Sequence, residues 1–180
     1  MTMRERMLAM VQRRTHDRVP FVQYDNIAAP TDEVWSLVGR ENMGILRWAQ
    51  LYRLDSPNCS IEGLDSQRGG FRCRITTITT PAGGLTEEKL FEPVYGSASI
   101  RKHFITEPVD YPAFAAFLRD IRVVKDTQEY AGILSGLGDD GLPIVRVERT
   151  PFQQMWVQWV SLADLCAHMA ECPDAVEECF

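Results

Sequence analysis

The sequence lacks the features that mark several specialised classes of protein. It contains no apolar run of membrane-spanning length, and the N-terminal segment, which carries Glu5 and has no long apolar core, is not a secretory signal. Lys and Arg form only short pairs such as Arg13-Arg14 and Arg101-Lys102, and the formal net charge is -6, which argues against binding to a phosphate backbone. We therefore expect a cytoplasmic protein with no nucleic-acid partner and no membrane partner.

Paired cysteine motifs are also missing. The five cysteines are an odd number and form no CxxC pair, which favours reduced thiols over a disulfide framework. Cys166, His168 and Cys172 suggest a metal site, but at about 100° per residue Cys166 lies roughly 200° from His168 on a helix. We therefore favour ordinary helix residues over metal ligands, since free cysteine behaves as a small apolar side chain.

A glycine-rich stretch at residues 131–141 matches neither the dinucleotide fingerprint GxGxxG nor the phosphate loop GxxxxGK[ST]. It predicts a flexible linker rather than a nucleotide site.

Two stretches change from apolar to polar along their length, and they predict where ligands bind. The 180 residues, 45% of them hydrophobic, suffice for a sizeable core. Residues 18–26 and residues 142–151 both start aliphatic and finish polar, as buried strands of an α/β sheet do when they end at a cleft. Ligands bind at the C-terminal ends of such strands, so both polar ends should face one site.

Candidate site residues follow from these two strand ends. Tyr24 and Asp25 are the predicted catalytic residues, with capping of the strand end as the alternative; Asp25 would accept a proton or contact a cation. The predicted substrate-binding residues are Asn26, Glu148, Arg149, Thr150, Gln153 and His103. Alternation along a strand would separate Arg149 from Glu148 and Thr150, and an ion pair of Arg149 with Glu148 or Asp25 is favoured over a substrate contact. For His103 a structural role is favoured.

The remaining pattern predicts mostly helices around one antiparallel insertion. Thr2 and Glu5 have capping-box spacing for a first helix that ends near Arg14. A hairpin formed by residues 71–80 and 85–91, with a further strand at 97–104, predicts an antiparallel insertion at about residues 68–104. Further helices are predicted near residues 31–38, 41–51, 107–121, 152–160 and 161–171, and from residue 173 to a chain end that falls inside a helix.

Several short phrases occur in the same order as in one known superfamily. These phrases are residues 4–9 with 17–20, 80–85, 103–105 before 107–111, and 150–152. They resemble the N-terminal half of the uroporphyrinogen decarboxylase superfamily, which also contains methyltransferases that act with corrinoid proteins and coenzyme thiols. The resemblance implies a (β/α)8 barrel of the TIM-barrel type. Residues 1–180 would then be the N-terminal part of one barrel domain that carries the antiparallel hairpin.

The sequence differs from the superfamily pattern in two places, and both bear on the function that we expect. True uroporphyrinogen decarboxylases carry an Arg-rich phrase after the first strand, whereas residues 24–29 here contain Asp25 and no Arg, which would repel a polycarboxylate substrate. The hairpin looks more like the methyltransferase-like branch, whose zinc is held by a His-x-Cys phrase and a distant Cys. This chain has no His-x-Cys, so any zinc ligands would lie outside it.

The resemblance therefore implies methyl transfer from a small methylated substrate to a corrinoid or thiol acceptor. Decarboxylation of uroporphyrinogen is one alternative, and a truncated barrel with a binding or assembly role only is the other. The expected partners are a small-molecule substrate, a corrinoid protein and a second copy of the chain in a homodimer.

Overall fold

A computed structural model describes residues 1–25, 30–94 and 96–180. The nine strands of these residues are β1 (Phe21–Tyr24), β2 (Met43–Ala49), β3 (Tyr52–Asp55), β4 (Ser60–Arg68), β5 (Phe71–Thr80), β6 (Gly83–Phe91), β7 (Ala98–Lys102), β8 (Arg122–Lys125) and β9 (Gly141–Val145). The seven α-helices are α1 (Met3–Val11), α2 (Asp32–Val38), α3 (Tyr111–Asp120), α4 (Gln128–Leu137), α5 (Pro151–Gln154), α6 (Leu162–Glu171) and α7 (Pro173–Glu177). Short 3-10 turns occupy Pro108–Asp110 and Gly138–Asp140, and a π-helical turn occupies Met155–Trp159.

The chain divides into two compact units. The first, here called the parallel unit, comprises Met1–Arg53 and Val124–Val147. The second, the antiparallel unit, comprises Leu54–Val123 and Glu148–Phe180. The short strands β3 and β8 pair with each other where the chain passes from one unit to the other.

The parallel unit contains a three-stranded sheet in the order β1-β2-β9, with both pairings parallel. The central strand β2 is mostly buried, and helix α1 packs against it. A Cβ atom at Gly44 would lie 2.8 Å from Met3 Cγ and from Met7 Sδ, and one at Gly141 would lie 2.1 Å from the Ile45 carbonyl oxygen. Gly141 therefore needs to be glycine because a side chain would collide with the backbone of β2, whereas a side chain at Gly44 would have to displace those of Met3 and Met7.

The antiparallel unit contains a four-stranded sheet in the order β4-β5-β6-β7. The predicted hairpin is confirmed, since β5 pairs with β6 in antiparallel register from Arg72↔Phe91 to Thr80↔Gly83. Helix α3 packs against β5 and β6, and Phe114 on this helix is fully buried with the Trp159 ring 4.9 Å away. The core that forms around it also contains Ile105, Tyr111, Met155, Val160, Leu165 and Val176.

The predicted (β/α)8 barrel is wrong. The described strands form sheets of three, two and four strands that are mostly antiparallel, and the largest sheet contains no parallel pair. Strands β4 to β7 follow one another through short connections without intervening helices, which a barrel of alternating strands and helices does not allow. The resemblance led to the wrong prediction because short phrases fix local segments and not the partners with which strands pair.

Two segments also differ from their predicted type. Residues 41–51 were predicted as a helix but contain β2, because a short apolar run buried between two neighbouring strands has no periodicity that separates strand from helix. The glycine-rich stretch predicted as a linker contains most of helix α4. Its glycines 132 and 136 lie in open space, where a helix tolerates them at modest cost.

Helix α1 begins with the predicted capping box. The Thr2 backbone N–H donates to Glu5 Oε2 at 2.9 Å, and the Glu5 N–H donates to Thr2 Oγ1 at 3.2 Å. The helix ends at Val11, earlier than predicted, and its Arg6 side chain is tied to the loop before β1. Arg6 Nε lies 2.6 Å from Asp17 Oδ1, and Arg6 Nη2 lies 2.8 Å from Asp17 Oδ2. This bidentate pair joins the first helix to the first strand.

The Arg6–Asp17 pair makes stability depend on pH. Hydrogen bonding from Arg6 holds the pKa of the Asp17 carboxyl well below its ordinary 3.8. A carboxyl whose pKa is lower in the folded state contributes stability above its unfolded pKa, and this contribution disappears as the pH falls toward the folded pKa. We expect Asp17→Asn to lower the melting temperature at pH 7, with a difference from wild type that narrows steadily below about pH 4.

The measurement is thermal unfolding of both proteins between pH 7 and pH 2.5. Asp139→Asn is the matched control, because Asp139 is an exposed carboxylate in the same unit for which the described residues give no ion pair. If the difference in melting temperature between wild type and Asp17→Asn stays constant over this pH range, the Arg6–Asp17 pair does not stabilise the fold through the ionised carboxylate.

Candidate functional site

The end of β1 is held to β2 by an ion pair. Asp25 follows β1 directly, and its side chain is 11% exposed. Arg47 donates to Asp25 Oδ2 twice, from Nε at 2.7 Å and from Nη2 at 2.5 Å. These hydrogen bonds raise the pKa of Arg47 further above its ordinary value, so the guanidinium stays charged. The cationic contact expected for Asp25 is therefore present, and its source is Arg47 rather than Arg149.

An aromatic pair lies beside this ion pair on the other face of the sheet. The Tyr24 and Trp48 rings are stacked, with centroids 5.8 Å apart and planes 19° apart. Tyr24 lies opposite Leu46 in the register, and side chains two residues apart share a face, so Trp48 falls on the same face as Tyr24. Asp25 and Arg47 belong to the opposite face. The two predicted catalytic residues, Tyr24 and Asp25, are thus neighbours in sequence that face different sides of the sheet.

A cavity of about 370 Å³ lies just beyond the C-terminal end of β2 in the same unit. We call it the strand-end cavity; it is lined by Gln50, Tyr52, Arg53, Asp126, Gln128 and Glu129. A backbone hydrogen bond of 2.9 Å from the Asp126 N–H to the Leu51 carbonyl holds its two sides together. Its lining combines carboxylate, amide, phenol and guanidinium groups, a set suited to a small polar molecule.

Two buried acceptors at this edge of the sheet have no hydrogen-bond partner. Among the described residues, Asp25 Oδ1 and Gln50 Oε1 are the buried side-chain oxygen or nitrogen atoms that lack one. Asp25 directly follows β1 and Gln50 directly follows β2, so both lie at the C-terminal edge of neighbouring parallel strands. An unpaired buried polar group costs about 1–3 kcal/mol, so its retention at a strand end indicates a place where a ligand donor or water completes the bond.

The second predicted strand end does not belong to a strand. Strand β9 stops at Val145, so the side-chain alternation expected for residues 148–150 does not apply. These residues belong to the antiparallel unit, where Gln154 Nε2 donates to Glu148 Oε2 at 3.3 Å and Arg149 Nη1 donates to Gln154 Oε1 at 3.5 Å. Thr150 caps helix α5, with its Oγ1 accepting from the Gln153 N–H at 3.4 Å. The structure thus gives these residues local contacts around the start of α5.

The other predicted binding residues are His103 and Asn26. His103 is half-buried, and its Nδ1 donates to the Gln158 carbonyl oxygen at 3.0 Å. Asn26 lies outside the described residues.

Of the residues Cys166, His168 and Cys172, His168 makes a buried side-chain contact. His168 is buried, and its Nδ1 lies 3.1 Å from the hydroxyl oxygen of Tyr111, which is fully buried. Burial raises the pKa of Tyr111 well above its ordinary value. Cys166 is exposed, and no group of three or more His, Cys, Asp or Glu side chains that could hold a metal is found among the described residues.

The sequence interpretation missed Arg47, Gln50 and the rest of the strand-end cavity. A usable signal existed, because Gln50 ends an apolar run just as Asp25 ends the run in β1. The helix assigned to residues 41–51 concealed it, since on a helix Arg47 and Gln50 would have been read as exposed positions.

Comparisons with known proteins do not identify a relative. The chain matches no protein-family model, no curated protein and no solved structure. Within residues 1–25, 30–94 and 96–180, no helix has the length and apolar character needed to cross a membrane.

The Asp25–Arg47 pair should show strong energetic coupling. Arg47→Met leaves the largely buried Asp25 carboxylate without its partner, and we expect a loss of about 1–3 kcal/mol in the free energy of unfolding. In the double variant with Asp25→Asn no charge is left unpaired, so its loss should be smaller than the sum of the single losses by about 1 kcal/mol. Urea unfolding of the four proteins measures this difference.

The control cycle uses Arg40 and Asp140, which form a 2.8 Å ion pair in the same unit with side chains 61% and 37% exposed. Exposed pairs of this kind contribute little, so coupling there should be close to zero. Equal coupling in both cycles would mean that the Asp25 carboxylate is as well solvated as a surface group.

Replacing Gln50, whose Oε1 is buried without a hydrogen-bond partner, should stabilise the fold. Methionine has a similar length and no oxygen, so Gln50→Met removes a buried acceptor without leaving a large void, and we expect a gain of about 1 kcal/mol in unfolding free energy. Gln153→Met, at an exposed position, should change stability by no more than about 0.5 kcal/mol. A loss of stability in Gln50→Met comparable to other buried substitutions would show that the amide is fully hydrogen-bonded in solution.

Proposed function

We propose that the strand-end cavity binds a small methylated compound and that the chain takes part in transferring the methyl group to a corrinoid or thiol acceptor. The observation that carries the proposal is the unpartnered acceptor Gln50 Oε1, in the lining of the strand-end cavity and directly after parallel strand β2. Ligands of α/β sheets bind at this edge, and a cavity of about 370 Å³ is of the size that encloses a small molecule. The resemblance of the ordered phrases supplies the reaction class.

The charges of the cavity favour a cationic substrate. Asp126 and Glu129 provide two carboxylates against the single guanidinium of Arg53, and Gln50 Oε1 adds a neutral acceptor. A protonated methylamine offers an N–H donor for such an acceptor and a positive charge for the carboxylates, and the Tyr52 ring can contact its methyl groups. In the transfer, a nucleophilic acceptor, a cob(I) corrinoid or a thiolate, supplies the electron pair for the new bond to the methyl carbon. The bond between nitrogen and that carbon breaks, and its electron pair leaves with the neutral demethylated amine, which keeps its proton. The Asp25–Arg47 pair positions the end of β1 and does not touch the substrate in this proposal.

The zinc that the resemblance implies does not fit the described residues. They contain no cluster of three or more candidate ligands, and His168, the histidine nearest in sequence to Cys166 and Cys172, is buried with its Nδ1 3.1 Å from the Tyr111 hydroxyl oxygen. No step of the proposed reaction is assigned to zinc.

The proposal is tested with the 180-residue chain, trimethylamine as donor and cob(I)alamin as acceptor. We expect broadening of the N-methyl proton resonance on addition of the chain, and formation of methylcob(III)alamin in the visible spectrum. Gln50→Met should weaken binding about tenfold, since a charge-assisted hydrogen bond contributes roughly 1.4 kcal/mol or more. Gln153→Met should leave both measurements unchanged, because its side chain lies outside the cavity and in the other unit.

The possible outcomes of this test separate binding from methyl transfer. Binding without transfer supports a ligand-binding role and contradicts the methyltransferase assignment. Neither binding nor transfer, with methanol giving the same result as trimethylamine, contradicts the whole proposal.

Decarboxylation of a tetrapyrrole is the second candidate. The sequence argument against it was an acidic segment without Arg, but Arg47 neutralises Asp25 at this place and so removes the net repulsion of carboxylates. Incubation of the chain with uroporphyrinogen, followed by chromatography of the oxidised products, separates the two candidates. Loss of carboxyl groups without any added cofactor would favour decarboxylation over methyl transfer.

A further inference from the structure

The outer edge of the four-stranded sheet in the antiparallel unit is unprotected. Strand β4 is at the end of the order β4-β5-β6-β7, and no described strand pairs with its outer side. All nine of its residues are exposed, including Ile61 at 55% and Leu64 at 66%. An edge of this kind presents a row of unpaired backbone donors and acceptors.

The opposite edge of the same sheet is protected in the usual ways. Strand β7 has only five residues, carries Arg101 and Lys102, and pairs with β6 through a register shift at Glu88/Lys89. Short length, positive charge and irregular pairing all discourage further strand addition. Strand β4 has nine residues in unbroken register with β5 and contains neither Pro nor Lys. The contrast between the two edges indicates that β4 is an interaction surface.

The turn between β4 and β5 determines which backbone groups face outward. Gly69 and Gly70 form a two-residue connection with φ angles of +58° and +83°, flanked by the pair Arg68↔Phe71. In such hairpins the flanking residues exchange both hydrogen bonds, and hydrogen-bonded pairs then alternate along the ladder. The even-numbered residues of β4 therefore bond to β5. The outward backbone groups are those of Ile61, Gly63, Asp65 and Gln67.

These outward groups are complementary to themselves about a two-fold axis at Leu64. In antiparallel pairing with a second β4, Ile61 exchanges bonds with Gln67 of the second copy and Gly63 with Asp65 of the second copy, which gives about eight backbone hydrogen bonds. The two Leu64 side chains then face each other, and Glu62 lies diagonal to Arg68 of the second copy.

Other symmetric registers are less favourable. A shift of one pair in one direction places the two Asp65 carboxylates directly opposite each other, and like charges in that position are destabilising. A shift in the other direction places Glu62 opposite Leu64 and separates the two leucines. Register specificity thus comes from Leu64, whose exposed side chain lies outside the antiparallel core, and from Asp65, whose carboxylate also pairs with Arg72 of β5 at 3.2 Å.

We propose that the outer edge of β4 pairs with β4 of a second copy of this chain, in antiparallel register centred on Leu64. The product is a homodimer in which one continuous sheet contains four strands from each copy. This interaction is independent of the strand-end cavity, which belongs to the other unit.

Disulfide trapping with a matched pair of variants tests the register. In Leu64→Cys the two new thiols lie in a non-hydrogen-bonded pair with Cα atoms about 4.5 Å apart, a separation that a disulfide can span. In Ile61→Cys, a similarly exposed position on the same strand, the two introduced thiols are six residues out of register and roughly 20 Å apart. Mild oxidation followed by non-reducing gel electrophoresis should link Leu64→Cys into dimers and leave Ile61→Cys at the wild-type level.

Sedimentation measures the same association without oxidation. Wild type should pass, as concentration rises, from the 20.5 kDa of the chain to twice that mass. Leu64→Lys places two like charges on the axis and should raise the dimer dissociation constant at least about tenfold, while the melting temperature of the dilute protein stays unchanged because the side chain is exposed. A wild-type protein that remains monomeric, or Ile61→Cys that cross-links as readily as Leu64→Cys, would overturn the proposal.

Discussion

The pairing and packing of strand β2 determine how the other elements of the parallel unit are arranged. It pairs with β1 on one side and β9 on the other, and helix α1 covers it through the close approach of Met3 and Met7 to Gly44. Because β1 is only four residues long, its position is set by the register with β2 and by the Asp25–Arg47 ion pair at its end. The same strand carries Trp48 and leads into Gln50, so the geometry of every candidate group at this edge follows from how β2 is packed.

The sequence predicted segments whose signal is local and failed where tertiary neighbours decide. The capping box of α1, the hairpin of β5 and β6, and the amphipathic helices α3 and α6 depend on residues close together in the chain, and the structure contains all of them. Strand β2 is as apolar as a buried helix would be. Only its pairing with β1 and β9 shows that this segment is a strand. Strand β4 was missed because all of its residues are exposed. Without a buried face, its sequence does not alternate between apolar and polar residues as a half-buried strand does.

The sequence also predicted the candidate site only in part. The change from apolar to polar residues located Asp25 correctly at a strand end, but the sequence could not supply its partner, because Arg47 is brought there by sheet pairing across 22 positions of the chain. The polar residues 148–150 belong to the other unit, where Thr150 caps helix α5 and its two neighbours bond to Gln154. Polar residues therefore mark the end of a strand only when they follow its last residue directly, as Asp25 follows Tyr24 and Gln50 follows Ala49.

The two unpartnered acceptors give the functional argument its physical basis. A protein of marginal stability loses a noticeable fraction of it for each buried oxygen left without a hydrogen bond. If such atoms were accidents of packing they would be scattered, whereas Asp25 Oδ1 and Gln50 Oε1 follow adjacent parallel strands at one edge of one sheet. The unprotected strand β4 is a comparable case, since its exposed leucine and free backbone groups also carry a cost that a second copy would remove. In both places we propose that another molecule removes this cost, a small one at Gln50 in the strand-end cavity and a second copy of the chain at β4.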